Sequence, residues 1–158
     1  AHDKPARRRV VDDFARICDL ARLHGIDICV EHHEGTLTDT TESALALGDE
    51  VARENFRHVW QPPHHLSLSA RLDELQRLLP RVSHVHVFHW TRVNGQLVRH
   101  PLASGESDWM QYVALLRHDD RTLPALLEFV ENDGPEQFIR DAHLLRSFKH
   151  ASPAHCVD

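Results

Sequence analysis

The sequence predicts an α/β fold in which short parallel strands alternate with helices. Four stretches have the composition of buried strands that end in polar residues: 26–33, 57–65, 82–90 and 123–132. Between them, apolar residues recur at helical spacing, which gives the order αβαβαβαβα. Strict alternation indicates a parallel sheet with right-handed crossovers. Because active sites of β/α folds lie at the carboxyl ends of the strands, the polar ends predict one shared site.

Local signals set the bounds of each element. The predicted strands cover 26–31, 56–61, 82–90 and 123–130, and the predicted helices cover 7–24, 36–55, 66–80, 108–118 and 135–151. Gly25 is a natural helix end, Asp108 a predicted N-cap, and Pro135 a suitable first helical residue. The polar loop 93–107 contains an Asn-Gly turn signal, which indicates a small hairpin flap over the site.

Length and composition favour one α/β domain over residues 1–158. Its hydrophobic fraction of 41% and charged fraction of 27% are ordinary for a globular protein. A net charge of −6 argues against a nucleic-acid binder, and no apolar run is long enough to span a membrane. The three widely spaced cysteines are typical of reduced thiols, so we expect a cytoplasmic protein.

Four strands make half of an eight-stranded barrel. An isolated half would expose its inner face and two sheet edges. We therefore expect this half-barrel to be part of a larger barrel, either by homo-oligomerisation or with an N-terminal half.

Histidine is the compositional outlier, with 15 residues. Many of them lie at or just beyond the predicted strand ends: His32, His33, His64, His65, His84, His86 and His89. Histidine binds metals and transfers protons near neutral pH, so this placement adds to the prediction of a metal site. Of this set, His86 and His64 are the candidates for the site. The others that follow strand ends are interpreted as hydrogen-bonding residues at the rim of the site: His32, His33, His65 and His89.

Five motifs in this order and spacing resemble the xylose-isomerase-like TIM barrel superfamily of sugar and sugar-phosphate isomerases and epimerases. They are CVEHHEGTLTDT (29–40), WQPPHH (60–65), HVHVFHW (84–90), PLASGESDW (101–109) and LLEFVE (126–131). The resemblance covers about residues 8–148 and implies the last four units of that (β/α)8 fold.

The resemblance implies a metal site made by the last four strands. The ligands that it implies are Glu31, Gln61, His86 and Glu128, with Gln61 standing where the family has a carboxylate. Magnesium or manganese would suit these ligands best, and zinc or cobalt could also bind. By spacing, His64 and Arg92 correspond to substrate-binding positions.

The implied activity is an enzyme, an isomerase or epimerase of a sugar or sugar phosphate. Glu31 and Glu128 would transfer the proton through an enediolate. Three alternatives stay open: a polyol dehydratase of the same fold, an abasic-site endonuclease, and a non-catalytic remnant that binds metal or sugar. The negative charge weighs against the nuclease, and Gln61 favours the remnant.

Overall fold

The computed structural model describes residues 4–118 and 121–148, and its elements follow the predicted alternation. The helices are α1 (Lys4–Arg22), α2 (Thr41–Val51), α3 (Leu68–Leu78), α4 (Glu106–Leu116) and α5 (Pro135–Ser147). The strands are β1 (Ile28–Glu31), β2 (Phe56–Trp60), β3 (Val82–Val87), β4 (His89–Val93), β5 (Gln96–His100) and β6 (Ala125–Leu127).

Four of the strands form the parallel sheet that the alternation predicts. Their order is β1-β2-β3-β6, and each neighbouring pair is parallel. Glu31 lies beside Val59, and Val87 lies beside Leu127. The carboxyl ends of all four strands therefore meet at one edge of the sheet, where the site residues are.

The core lies between this sheet and its helices. Trp60, Leu75, Val85 and Trp109 are among its fully buried members. The opposite, inner face of the sheet is open, and Leu126 on that face is 50% exposed. On β3, the alternation of side chains sends Val85 and Val87 to the helices and leaves His84 and His86 on the inner face.

The third strand of the sheet is shorter than predicted. The sheet strand ends at Val87, and His89 begins an antiparallel hairpin of β4 and β5. The indole of Trp109 donates to the carbonyl of Phe88 at 2.8 Å, which turns this carbonyl towards α4 and out of the sheet ladder. The hairpin itself agrees with its turn signal, since Asn94 and Gly95 have φ values of 50° and 82°.

Several further bounds differ from the prediction, and the largest difference in a helix is α2, which covers Thr41–Val51 and not 36–55. Helix α4 begins at Glu106 with Gly105 at the N-cap, so Asp108 lies in the first turn and is not the cap. A Cβ atom on Gly105 would lie 2.2 Å from the ring of His89, so any larger residue here would require that ring to move. Strand β6 is also shorter than predicted, because the chain turns sharply at Phe129, where φ is 52°.

No helix among the described residues is long and apolar enough to cross a membrane. Cys18 is a buried thiol and Cys29 an exposed one, and neither forms a disulfide. Cys156 lies outside the described residues.

The buried imidazole of His58 predicts a pH-dependent stability. Burial, the Arg81 charge and His32 lower the pKa of His58 to about 4. The unfolded chain therefore binds a proton near pH 6.5 that the folded chain does not bind, and stability falls as the pH drops below that value. We expect His58 to account for about 2 kcal/mol of stability lost between pH 7.5 and pH 5.

Urea unfolding at the two pH values measures this loss. The variant His58→Leu should lose less stability on acidification than the native chain does. The matched variant His24→Leu alters an exposed histidine and should leave the pH dependence unchanged. An equal pH dependence in all three proteins would contradict the assignment to His58.

Candidate metal centre

Three side chains from three different strands converge at the carboxyl edge of the sheet. Glu31 ends β1, His86 lies near the end of β3, and Glu128 follows β6 directly. Their ligand atoms all lie within 4.8 Å of one another. The Nδ1 atom of His86 is 3.1 Å from Glu128 Oε2 and 3.9 Å from Glu31 Oε1.

The sheet fixes these three positions. The backbone N–H of Glu128 donates to the Val87 carbonyl at 3.0 Å, which extends the pairing of β3 and β6 by one residue. Burial raises the pKa of Glu128, and the neighbouring Glu31 charge raises it further, whereas His86 opposes this shift. A nearby cation would stabilise the ionised form of a carboxylate in this position.

Gln61, at the end of β2, offers an amide oxygen. Its Nε2 atom donates to the backbone carbonyl of His32 at 3.3 Å, which orients the amide. Among the described residues, nothing hydrogen-bonds to the buried Gln61 Oε1 atom, and the buried atoms His86 Nδ1 and Glu128 Oε2 lie within hydrogen-bonding distance only of each other, at 3.1 Å. Buried polar atoms without partners are costly, and a cation would satisfy such a set of oxygen and imidazole ligands. The four residues therefore fit a divalent metal.

His64 lies at a cavity beside this centre, and Arg92 lies outside it. The cavity has a volume of about 180 Å³ and is lined in part by Glu31, Gln61 and His64. Burial lowers the pKa of His64, although an ion pair of 3.1 Å with Glu34 opposes the shift. Arg92 is exposed on the β4–β5 hairpin, where it donates to the Gly95 carbonyl at 2.8 Å.

Three aromatic rings form one wall of the cavity. Phe88, Trp90 and Phe129 stack pairwise, with ring centroids 4.7–5.6 Å apart. Phe129 was not predicted as a site residue, although an aromatic residue directly after a strand-end glutamate is a usable signal. Such a wall can cover the apolar face of a ring-shaped ligand.

A buried carboxylate behind the site was also missed from sequence. Glu74 on α3 is 3% exposed. It accepts hydrogen bonds from Thr41 at 3.1 Å and from the Trp60 indole at 3.1 Å, and it lies 2.9 Å from His32 Nε2. Its position in an amphipathic helix carries no sequence signal for this role.

A sequence model of the xylose isomerase-like TIM barrel family matches residues 1–148. The chain belongs to this family. The resemblance inferred from the five motifs is therefore confirmed, and so is the parallel α/β fold.

Two similar proteins of named activity are dehydratases. The chain is 34% identical over 86 residues to a 3-dehydroshikimate dehydratase of Bacillus anthracis, an alignment that covers 51% of this chain and 29% of that protein. It is 28% identical over 85 residues to an inosose dehydratase of Serratia proteamaculans, covering 51% of this chain and 28% of that protein.

Two solved structures share the fold. The probable 3-DHS dehydratase AsbF of Bacillus anthracis has a TM-score of 0.68 at 25% identity, covering 88% of this chain and 55% of that chain. A xylose isomerase-like TIM barrel protein of Mycobacterium smegmatis, in complex with magnesium, has a TM-score of 0.74 at 20% identity, covering 95% of this chain and 53% of that chain. This chain thus spans about half the length of both.

The buried contacts of Glu74 predict that exchanging one of its carboxylate oxygens for a nitrogen lowers the stability of the fold. In Glu74→Gln, an amide NH₂ replaces one carboxylate oxygen, so one buried donor loses its acceptor. We expect a loss of about 1–3 kcal/mol in the free energy of unfolding, measured by urea denaturation. The neighbouring exposed variant Asp73→Asn should change it by less than about 0.5 kcal/mol. Equal effects of the two variants would refute the buried contact.

Proposed function

We propose that the chain carries the metal centre of a dehydratase acting on a hydroxylated cyclic ketone. The observation that carries this proposal is the convergence of Glu31, His86 and Glu128 within 4.8 Å beside an aromatic-walled cavity. The names of the similar dehydratases support the reaction and the substrate class. They favour the dehydratase alternative over the isomerase or epimerase that the sequence analysis placed first.

Glu31, Gln61, His86 and Glu128 would hold the divalent cation. Three of the four offer oxygen atoms, which favours magnesium or manganese, while the imidazole also admits zinc or cobalt. When bound, the cation supplies Lewis-acid polarisation of the substrate carbonyl and so acidifies the neighbouring C–H bond.

Dehydration needs a proton acceptor and a proton donor. One carboxylate, Glu31 or Glu128, removes the proton from the carbon next to the carbonyl. The electron pair then forms the new C=C bond as the hydroxyl on the next carbon takes this proton from the carboxylate and leaves as water, so the products are an unsaturated ketone and water and the carboxylate is restored.

The substrate would contact the cavity wall and its polar rim. Phe88, Trp90 and Phe129 would cover one face of the ring, and His64 would contact a substrate oxygen. Arg92 lies on the exposed outer half of the β4–β5 hairpin, whose base is packed through Trp90 against Phe88 and Phe129. Burial and, to a lesser extent, the Arg92 charge lower the pKa of His64, so the flexible Arg92 side chain could contact a substrate beside that residue.

A metal-dependent isomerase or epimerase is the second candidate. Glu31 and Glu128 come from separate strands and contact the same imidazole, so one could remove a proton that the other returns. Both reactions begin with the same deprotonation and differ only in whether a hydroxyl then leaves. The product therefore distinguishes them.

The metal ligands can be tested by calorimetry with Mn²⁺. The double variant Glu31→Gln/Glu128→Gln removes both negative charges from the centre, so we expect its Mn²⁺ binding to be lost. Gln61→Asp should tighten binding, because it adds a third carboxylate.

The control is Glu54→Gln/Glu136→Gln, which makes the same change in charge at two exposed positions. It should bind Mn²⁺ as the native chain does. If this control loses binding as strongly as the Glu31/Glu128 pair, general charge and not the proposed centre holds the ion.

The reaction can be tested with 3-dehydroshikimate and an inosose in D₂O with Mn²⁺. We expect a new conjugated carbonyl absorbance from the inosose and a new aromatic absorbance from 3-dehydroshikimate, whose unsaturated ring becomes a catechol when water is lost. The proton next to the ketone should disappear from the NMR spectrum. The Glu31→Gln/Glu128→Gln variant should give neither signal.

Each other outcome excludes the dehydratase for these substrates. Proton exchange with a changed ring stereocentre and no new absorbance would assign an epimerase. Metal binding without any exchange would assign the non-catalytic alternative.

A further inference from the structure

A second group of metal-ligating side chains lies beside the proposed centre. Glu34 follows β1, and His64 and His65 follow β2. Their ligand atoms all lie within 4.8 Å of one another. His64 Nε2 is 3.1 Å from Glu34 Oε2, and the two imidazole rings are 5.8 Å apart, centroid to centroid.

Hydrogen bonds hold the turn that carries Glu34. The Thr36 hydroxyl donates to the His33 carbonyl at 2.7 Å, and the Thr38 hydroxyl donates to the Glu31 carbonyl at 2.5 Å. The His33 ring contacts the Glu34 carbonyl at 2.8 Å. Glu34 is therefore presented from a backbone that is tied to the end of β1.

The turn that carries the two histidines is fixed independently. Pro62 and Pro63 restrict the backbone just before His64. The Pro63 carbonyl accepts a hydrogen bond from Arg71 Nε on α3 at 2.8 Å, and another from the Leu66 N–H at 3.2 Å. Two separately anchored turns thus place the three side chains opposite each other, which lowers the entropy lost on ligand binding.

We propose that Glu34, His64 and His65 bind a second divalent cation, of the zinc type. Two imidazoles and one carboxylate are a ligand set that zinc prefers and that leaves a coordination position open. The first centre is richer in oxygen ligands and suits magnesium or manganese better. The two sets are therefore expected to differ in the metal that they prefer.

The second cation would border the same cavity as the first centre. Glu31, Gln61, Glu34, His64 and His65 all line this cavity. A cation held there would present a positive charge to substrate oxygens at the rim, and His64 would then act on the substrate through the metal. The inference stands without the proposed dehydration, because it concerns binding by the chain's own residues.

The site can be tested by measuring the zinc stoichiometry of the purified chain with calorimetry and elemental analysis. We expect the native chain to bind two equivalents. Glu34→Gln/His65→Ala should bind one, and Glu31→Gln/Glu128→Gln should keep the equivalent that the first variant loses. Glu34 and His65 are exposed, so this pair of substitutions should leave the fold intact, as circular dichroism can verify.

A cobalt titration gives a second measurement. Co²⁺ bound by two imidazoles and a carboxylate in a four-coordinate site should show intense visible absorption, and Glu34→Gln/His65→Ala should lose it. His24→Ala, which alters an exposed histidine elsewhere, should keep both the stoichiometry and the spectrum. A zinc stoichiometry in Glu34→Gln/His65→Ala that equals that of the native chain, whether one equivalent or two, would overturn the second site. If Glu31→Gln/Glu128→Gln loses one equivalent and Glu34→Gln/His65→Ala loses none, zinc binds at the first centre only and the second site is refuted.

Discussion

The buried carboxylate of Glu74 joins the elements that position the metal centre. A buried, unpaired carboxylate would cost several kcal/mol, so its partners must be in place in the folded state. Those partners lie on α2 and β2 and directly after β1, and Glu74 itself lies on α3. His32 is the link to the site, because its backbone N–H donates to the Val59 carbonyl at 3.0 Å and its own carbonyl accepts from Gln61. The Glu74 side chain thus stabilises the strand ends that carry Glu31 and Gln61 from the helix side of the sheet.

The alternation of side chains along the strands separates stability from function. On β3, Val85 and Val87 are buried against the helices, while His84 and His86 lie on the inner face. Substitutions on the helix side would therefore disturb packing, and those on the inner face would disturb the site. The inner face also exposes Leu126, as expected of a surface that further strands cover in a closed barrel. The site of this chain lies at the rim of that open face.

The sequence was sufficient for the parts of the site that depend on strand ends. A parallel sheet brings its carboxyl ends together, so an apolar run followed by Glu31 or Glu128 places each residue without any knowledge of packing. The residues in the turns were harder to assign. His65 was assigned to the rim and Glu34 was not predicted as a site residue, because their proximity depends on two turns whose shapes sequence spacing does not determine. The end of β3 depends on a hydrogen bond from Trp109 to Phe88, and the role of Glu74 depends on contacts 14 and 33 residues away. Long-range contacts of this kind leave no periodic signal.

Because Gln61 is uncharged, the proposed first centre has one negative charge fewer than a centre with three carboxylates. With Glu31 and Glu128 ionised, the ligands carry two negative charges, which equal the charge of a divalent cation. A third carboxylate would hold the cation more tightly but would also withdraw more of its charge from the substrate. In the proposed centre, the amide oxygen of Gln61 would therefore weaken metal binding and strengthen polarisation of a bound carbonyl. An electrically neutral centre also repels an anionic substrate less than one with excess negative charge. The departure from the family pattern is thus compatible with catalysis, provided that the metal concentration is high enough to fill the site.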